Sequence, residues 1–258
     1  MTPDLIATLG FAWLGLAVGS FLNVVIHRLP RGGSVVHPPS RCPGCSYQLR
    51  WSDNIPVLSW LFLRGRCRKC GAGISVRYPI VEILTMIVFL LHLWIFGWTV
   101  LMGVRVAFAC AMIALFAIDL EHQLLPNAIT LPGIVAGLIV SIIVPPGVRD
   151  AILGTLLGGG VLWAIGEAYY RYSGQEGMGG GDVKMLAMVG AFLGWKLVLV
   201  TLVLSSVAGS LIGMLVIAIK RGGMKHALPY GTFLALGALA ASLAGDRMVA
   251  WYLGFYDF

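Results

Sequence analysis

An all-α polytopic membrane protein with about eight transmembrane helices is the fold class the sequence predicts, and three observations predict it. Of 258 residues, 59% are hydrophobic and 11% charged. A soluble domain carries about 25% charged residues, so the surplus apolar surface here needs lipid. The apolar residues form long runs, near 5–26, 79–98, 100–118, 127–144, 151–171, 183–195, 197–219 and 228–246, and a spanning helix needs about 20 such residues. One long polar stretch, 27–78, interrupts them and holds half of the basic residues.

The first run lacks the basic start of a cleavable signal and is long, so it reads as a retained helix. The polar stretch contains Arg28, Arg31, Arg41, Arg50, Arg64, Arg66, Arg68, Lys69 and Arg77. The positive-inside rule places it in the cytoplasm, with the N-terminus outside. Threading eight spans from that start also brings Arg171, Lys184, Lys220, Arg221 and Lys225 inside, leaving Arg105, Arg149, Lys196 and Arg247 outside. The basic residues read as topology and attraction to anionic lipid. Nucleic-acid binding is not expected, because no stacking aromatics alternate with the basic residues. The expected organisation is a first transmembrane helix (1–26), a cytoplasmic insert (27–78) and a transmembrane core (79–258).

The insert reads Cys42-Pro43-Gly44-Cys45, then 21 residues, then Cys67-Arg68-Lys69-Cys70. Paired C-x-x-C knuckles at about this separation are a zinc signature. Four thiolates suit a closed tetrahedral site, and a glycine following the knuckle, Gly71, lets backbone NH groups turn toward sulfur. Two redox dithiols are the rival reading, but a cytoplasmic loop is kept reduced. Cys42, Cys45, Cys67 and Cys70 are therefore the expected ligands of a structural Zn2+, whose binding supplies folding energy to a segment with little core of its own. Cys110, inside an apolar run, reads as packing. Trp51–Pro56 and Ser59–Leu63 read as a re-entrant or interfacial stretch, with tryptophans at headgroup level.

Three acids lie near the membrane faces. Glu82 follows Tyr78-Pro79 by about one turn. A carboxylate at a favourable helix N-terminus and a substrate or cofactor contact are equally good readings of it. Asp119 opens Asp119-Leu120-Glu121-His122-Gln123-Leu124-Leu125-Pro126, and Asp182 closes Gly177-Met178-Gly179-Gly180-Gly181-Asp182. The threading places both aspartates at the cytoplasmic face. Intramembrane acids usually face a wet cavity and usually have a function. Asp119 and Glu121 are two apart and point to different faces of a helix. The glycines before Asp182 leave room for an extended backbone beside a carboxylate; the alternative is a helix N-cap ahead of Val183. Two carboxylates sharing one proton supply both the base and the acid of peptide hydrolysis, because like charges that close do not both ionise easily. No Gly-x-Ser-x-Gly and no His-Glu-x-x-His occurs, and His122 reads as a solvent or headgroup contact. The glycines Gly10, Gly15, Gly19, Gly154, Gly158, Gly159 and Gly160 have helix-packing spacing. A transporter also has broken helices and acids, but it should show repeated halves, and none is visible.

These residues together resemble the bacterial type IV prepilin peptidases, the A24 family of membrane aspartic proteases. The carriers are Gly19 through Pro30, the two cysteine knuckles, Trp51 through Leu58, Arg77-Tyr78-Pro79 with Glu82, Asp119 through Pro126, and Gly179 through Lys184. Their order and spacing cover nearly the whole chain. His27 departs from the tyrosine more often found there. The resemblance implies a bifunctional enzyme of the bacterial inner membrane. It would cut the basic leader from type IV prepilins or type II secretion pseudopilins, then N-methylate the new terminus with S-adenosylmethionine. Asp119 and Asp182 match the catalytic positions and face the cytoplasm. The knuckles match those of bifunctional members, while members without the insert are generally peptidases only. No residue is assigned to S-adenosylmethionine, with Glu82 the one candidate; membrane lipid is the other expected partner.

Overall fold

The computed structural model describes residues 4–175, 179–220 and 229–255. The expectations for Glu176, Gly177, Met178, Arg221 and Lys225, and for the Lys220 side chain, lie outside the described residues. Among the described residues the regular elements are all helical, apart from two isolated antiparallel bridges in the insert. The chain divides into two compact units, Met1–Met102 and Gly103–Phe258.

The first unit pairs α1 (Leu5–Arg28) with α3 (Arg77–Phe96) and carries the insert between them, with a short α2 (Leu58–Phe62). The α1–α3 contact is antiparallel and very close. A Cβ on Gly19 would lie 2.6 Å from the Glu82 Cα, and one on Gly15 would lie 2.8 Å from the Met86 Cα. In lipid no hydrophobic force drives helices together, so small residues that let backbones approach provide the packing. Asn23 continues the register, its Nδ2 donating to the Tyr78 carbonyl at 3.0 Å. Phe11 packs against Phe89 at the other end, the ring centroids 5.1 Å apart and the planes tilted by 38°. Gly10 has open space where a Cβ would be, so it has no part in this seam.

The second unit contains α4 (Val100–His122, entering from the first unit), α5 (Asn127–Val140), α6 (Val148–Ser173), α7 (Gly180–Lys220) and α8 (Tyr230–Leu253). α4 and α8 run antiparallel: Arg105 donates to the Ser242 carbonyl at 3.2 Å, and Asp119 meets Thr232 at the opposite end. Arg105 is buried in an apolar helix, a costly place for a cation. The Ser242 carbonyl and the Asp246 carboxylate, 3.5 Å away, answer its charge. The core between the helices holds Phe108, Met112, Leu115, Met185, Met188 and Leu234.

The predicted spans 183–195 and 197–219 are the two limbs of α7, with no loop between them. Gly194 (φ 79°, ψ 169°) breaks the helix, a conformation glycine adopts at little cost. The packing shows that the chain reverses there. On the first limb a Cβ at Gly158 would meet the Leu186 carbonyl, and Gly190 backs onto Gly154. On the second limb Leu197 lies under Gly245, Thr201 and Ser205 lie under Gly237, and Gly209 faces Phe233. Because α8 begins beside Asp119, the second limb returns to the end from which the first departed.

Five unbroken described helices are long and apolar enough to cross a membrane, and α7, taken across its break at Gly194, is a sixth by length and composition. The predicted fourth span is shorter than expected. α5 has 14 residues, about 21 Å, because the chain turns from Ser141 toward Pro145 and Pro146. Large apolar side chains such as Leu9, Trp13, Ile139, Leu156, Val203 and Leu211 are exposed, as a lipid-facing surface requires.

Candidate active site

Asp119 and Asp182 come from different helices and line one open pocket of about 360 Å³ in the second unit, close enough to interact electrostatically. Gln123, Leu125, Asn127, Gly179, Gly180, Gly181 and Lys184 complete its walls. Asp119 lies in the last turn of α4 and is buried. Its Oδ2 accepts two hydrogen bonds from Thr232, one from the backbone N–H at 2.6 Å and one from the hydroxyl at 2.9 Å. The N–H is available because the first-turn amides of a helix have no intrahelical partner, and α8 begins at Tyr230, after Pro229. Gly231 is what admits the carboxylate, since a Cβ there would stand 2.9 Å from Asp119 Oδ2. Glu121 is exposed, on a different face from Asp119, with His122 3.9 Å from it.

Asp182 lies within the first turn of α7, which begins at Gly180, so it does not cap the helix from outside. It is partly exposed, and its N–H donates to the Gly179 carbonyl at 3.0 Å. Leu125 wedges between the two acidic helix ends. A Cβ on Gly181 or on Gly231 would come within 2.9 Å of the Leu125 side chain. Lys184 Nζ donates to Asn127 Oδ1 at 3.0 Å, tying the start of α5 to the start of α7. The floor beside Asp182 is glycine backbone without side chains, and an extended peptide can lie against such a floor.

The four cysteines of the insert also converge. Their sulfurs all lie within 4.8 Å of one another, with Cys42–Cys70 at 3.7 Å and Cys45–Cys67 at 4.0 Å, and together they could hold a metal ion. The two knuckles share one backbone plan. The N–H of Cys42 meets the Tyr47 carbonyl and that of Cys67 meets the Ala72 carbonyl; the bridges Arg41–Gln48 and Arg66–Gly73 close each turn. The residue after each second cysteine takes positive φ, glycine at Gly71 (72°) but serine at Ser46 (56°). The N–H groups of Cys70 and Lys69 aimed at Cys67 hold its thiol down at about 6. The Ala72 N–H pulls the Cys70 thiol down, yet Cys45, burial, Cys67 and Cys42 together push it up to about 11. A cation among the sulfurs would relieve that crowding. Arg68, between two of the cysteines, binds Asp53 at 2.7 Å and so fixes the second knuckle to the 3-10 turn Trp51–Asp53.

Glu82 is not part of the aspartate pocket. It is buried in the first unit, where Oε2 accepts the Val57 N–H at 2.7 Å. Cys110 is half-buried in α4 and belongs to neither group. Gly154 and Gly158 pack against backbone, whereas Gly160 has open space. Thr232, Gly231, Leu125 and Asn127 are the site residues that sequence reasoning did not single out for a role. A threonine one residue after Gly231 and three after Pro229 looks like any helix start, and its partner is 113 residues away.

Two family models match the chain. The bacterial peptidase A24 N-terminal domain matches residues 13–96, and the type IV leader peptidase family matches residues 106–214. Proteins named prepilin leader peptidase/N-methyltransferase are similar over nearly the whole length. That of Stutzerimonas stutzeri is 38% identical, covering 94% of this chain and 92% of the relative. That of Pseudomonas putida is 39% identical, covering 97% and 94%. That of Pseudomonas aeruginosa is 36% identical, covering 95% and 93%. No solved structure matches significantly. With identities above 30% along almost the entire length, this chain belongs to the type IV leader peptidase family.

Proposed function

We propose that this protein is a membrane aspartic endopeptidase and N-methyltransferase. It removes the basic leader of type IV prepilins, or of type II secretion pseudopilins, and methylates the new N-terminal residue. The observation that carries the reading is the shared pocket: Asp119 and Asp182, on separate helices, border one open, glycine-floored space. Thr232 occupies one oxygen of Asp119 with two donors, which fixes the carboxylate plane. The Gly179 N–H is directed at the Asp182 carboxylate, and the other Asp119 oxygen and Asp182 can hold a water between them. One carboxylate takes a proton from that water as its oxygen attacks the scissile carbonyl carbon. The other, protonated, gives its hydrogen bond to the carbonyl oxygen, and the departing amine then collects a proton. Neither step needs a covalent enzyme intermediate.

The charge distribution supports a cytoplasmic orientation for the pocket, because the basic insert and Lys184 then share the inner side. A prepilin presents a basic leader followed by an apolar helix. Its helix enters the bilayer and its junction stops at the pocket, where Asp119, Glu121 and Asp182 attract the leader. The cysteine cluster fits zinc. A tetrahedron with Zn–S of about 2.3 Å has edges of about 3.8 Å, near the 3.7 and 4.0 Å of the two closest sulfur pairs. Four sulfurs leave no open coordination position, so the metal's contribution is structural. Exposed Trp51, Leu61 and Phe62 suit contact with lipid headgroups and the upper acyl chains. S-adenosylmethionine, when bound, would supply an electrophilic methyl group: the S–CH3 bond breaks as the freed α-amine takes the methyl and loses a proton, and the neutral thioether S-adenosylhomocysteine leaves.

Purified protein with a synthetic prepilin tests the reading. Asp119→Asn and Asp182→Asn each reduce leader cleavage by about 10²-fold or more, and cleavage by both at the wild-type rate refutes the protease. Mass spectrometry of the product tests the second activity: a mature N-terminus without the added methyl group, with S-adenosylmethionine supplied, leaves a peptidase only.

A further inference from the structure

Lys184 is the cation among the residues that line the aspartate pocket. Its Nζ donates to Asn127 Oδ1 at 3.0 Å, and among the described residues it pairs with no carboxylate. Topology accounts for a cation on this membrane face but not for its place in the pocket wall. Helix stability does not account for it either. α7 begins at Gly180, and the N-terminal end of a helix favours anions. The bond to Asn127 fixes how the amide lies. An ammonium only donates, so Oδ1 is the atom turned to Lys184, and Nδ2 is left to donate elsewhere. Asn127 is exposed at the first position of α5, and its side chain makes no other bond among the described residues.

An extended peptide on the glycine floor loses water from its carbonyls, and buried carbonyls need donors. Several donors beside the acids are already committed. The Thr232 N–H and hydroxyl go to Asp119, the Gly179 N–H is directed at the Asp182 carboxylate, and the Asp182 N–H goes to the Gly179 carbonyl. Lys184 and Asn127 keep donors to spare, on the wall of the same open space. We propose that Lys184 and Asn127 form a main-chain clamp, which holds the substrate peptide by its carbonyl oxygens across Asp119 and Asp182. The clamp rests on the peptidase reading above and adds substrate-binding residues to it. A cation repels a basic leader, so the carbonyls it holds lie after the scissile bond, on the apolar side. Neither residue exchanges a proton with the substrate; both bind and orient it. Recognition through carbonyl oxygens is indifferent to side chains, so one site can serve substrates that differ in sequence.

Cleavage of a synthetic prepilin by the full-length protein in micelles, with kcat and KM separated, tests the clamp. Lys184→Met keeps much of the stem and deletes the donors. KM rises about tenfold or more, while kcat stays within about threefold because the contact is made in ground and transition states alike. Asn127→Asp separates a clamp from a mere tie between α5 and α7. Its carboxylate keeps Lys184 as an ion-pair partner and suits a helix N-terminus, but it has no donor. A tie survives that change, whereas the clamp loses the amide N–H groups and KM rises about fivefold or more. Unfolding temperature checks the folding of both variants. Direct contact is read from substrates in which one peptide bond, never the scissile one, is replaced by an ester, whose carbonyl is the weaker acceptor. An ester just after the scissile bond raises KM in the wild type and adds nothing in Lys184→Met. Wild-type KM in either folded variant overturns the clamp. So does an ester effect of equal size in wild type and Lys184→Met at every position, or one confined to the leader. Cleavage that survives in both Asp119→Asn and Asp182→Asn removes the peptidase reading itself. Cleavage lost in those variants, with wild-type KM in Lys184→Met, removes only the clamp.

Discussion

Thr232→Val isolates the one side chain that holds a catalytic candidate without touching substrate. Valine keeps the shape and the backbone N–H of Thr232, and deletes the hydroxyl that stands 2.9 Å from Asp119 Oδ2. The N–H contact at 2.6 Å survives. A hydrogen bond to a charged acceptor contributes about 1.5–3 kcal/mol, and each 1.36 kcal/mol on a barrier is about tenfold in rate. If the full contact is expressed in the transition state, kcat/KM falls about 10- to 150-fold. Thr232 is a positioning residue, so the loss should appear in kcat and leave KM nearly unchanged. Thr232→Ser keeps the hydroxyl and should stay within about threefold of wild type. The assay is single-turnover cleavage of a synthetic prepilin in micelles, with separated kcat and KM. A valine variant as fast as wild type, or a serine variant as slow as valine, refutes the positioning argument and leaves the hydrogen bond as local structure.

Other predictions follow from distances of the same kind. Cys67→Ser, or strong chelation, takes zinc from about one ion per chain to none and lowers the unfolding temperature; metal analysis showing full occupancy after the substitution removes the site as drawn. In Gly190→Ala the new Cβ would stand 2.0 Å from the Gly154 carbonyl oxygen. Backbone cannot rotate away, so overpacking costs about 1–3 kcal/mol, whereas Gly160→Ala has open space and gains up to about 1 kcal/mol of helix propensity. Thermal unfolding of the two variants should move in opposite directions. For orientation, Arg247→Cys should react with a membrane-impermeant thiol reagent added outside spheroplasts and Arg64→Cys should not; the reverse pattern turns the protein over.

Much of this architecture was readable from composition because lipid imposes one demand on every span, a run of apolar residues. The cysteine cluster was equally readable, since knuckle spacing encodes a local turn and the metal dictates the rest. Other features were hidden for definite reasons. The reversal at Gly194 looks like a boundary between two spans, and nothing local distinguishes a one-residue turn from a short loop. The end of α5 at Val140 depends on the turn before Pro145, although Ile142, Ile143 and Val144 are apolar enough to continue a hydropathy run. Ser46 takes a left-handed conformation usually given to glycine, so only its twin, Gly71, was conspicuous. The bonds from Thr232 to Asp119 and from Val57 to Glu82 join residues that share no local pattern, so only the packed chain reveals them.

The dimensions of the second unit explain how two acids can sit at a membrane face and still meet water. α5 has 14 residues, and the first limb of α7, from Gly180 to Gly194, is of similar length. Each rises only about 21 Å, against a hydrocarbon core of about 30 Å. The two are parallel neighbours, since Gly133 meets Met188 and Gly137 meets Ala191. Their far ends stop together, with a Cβ on Gly194 only 2.8 Å from Pro146. Their near ends carry Asn127 and Asp182. A mismatch of about 9 Å must be met by thinning the bilayer or by sinking one end below its surface. Either response brings the open pocket to the depth at which a substrate helix leaves lipid, and irregular backbone is tolerated there because it lines a wet cavity. The longer helices α4 and α8 then carry the load of spanning, with Arg105 and Asp246 at one end and Asp119 and Thr232 at the other. The short helices set the depth of the acids, and the long ones hold them in register.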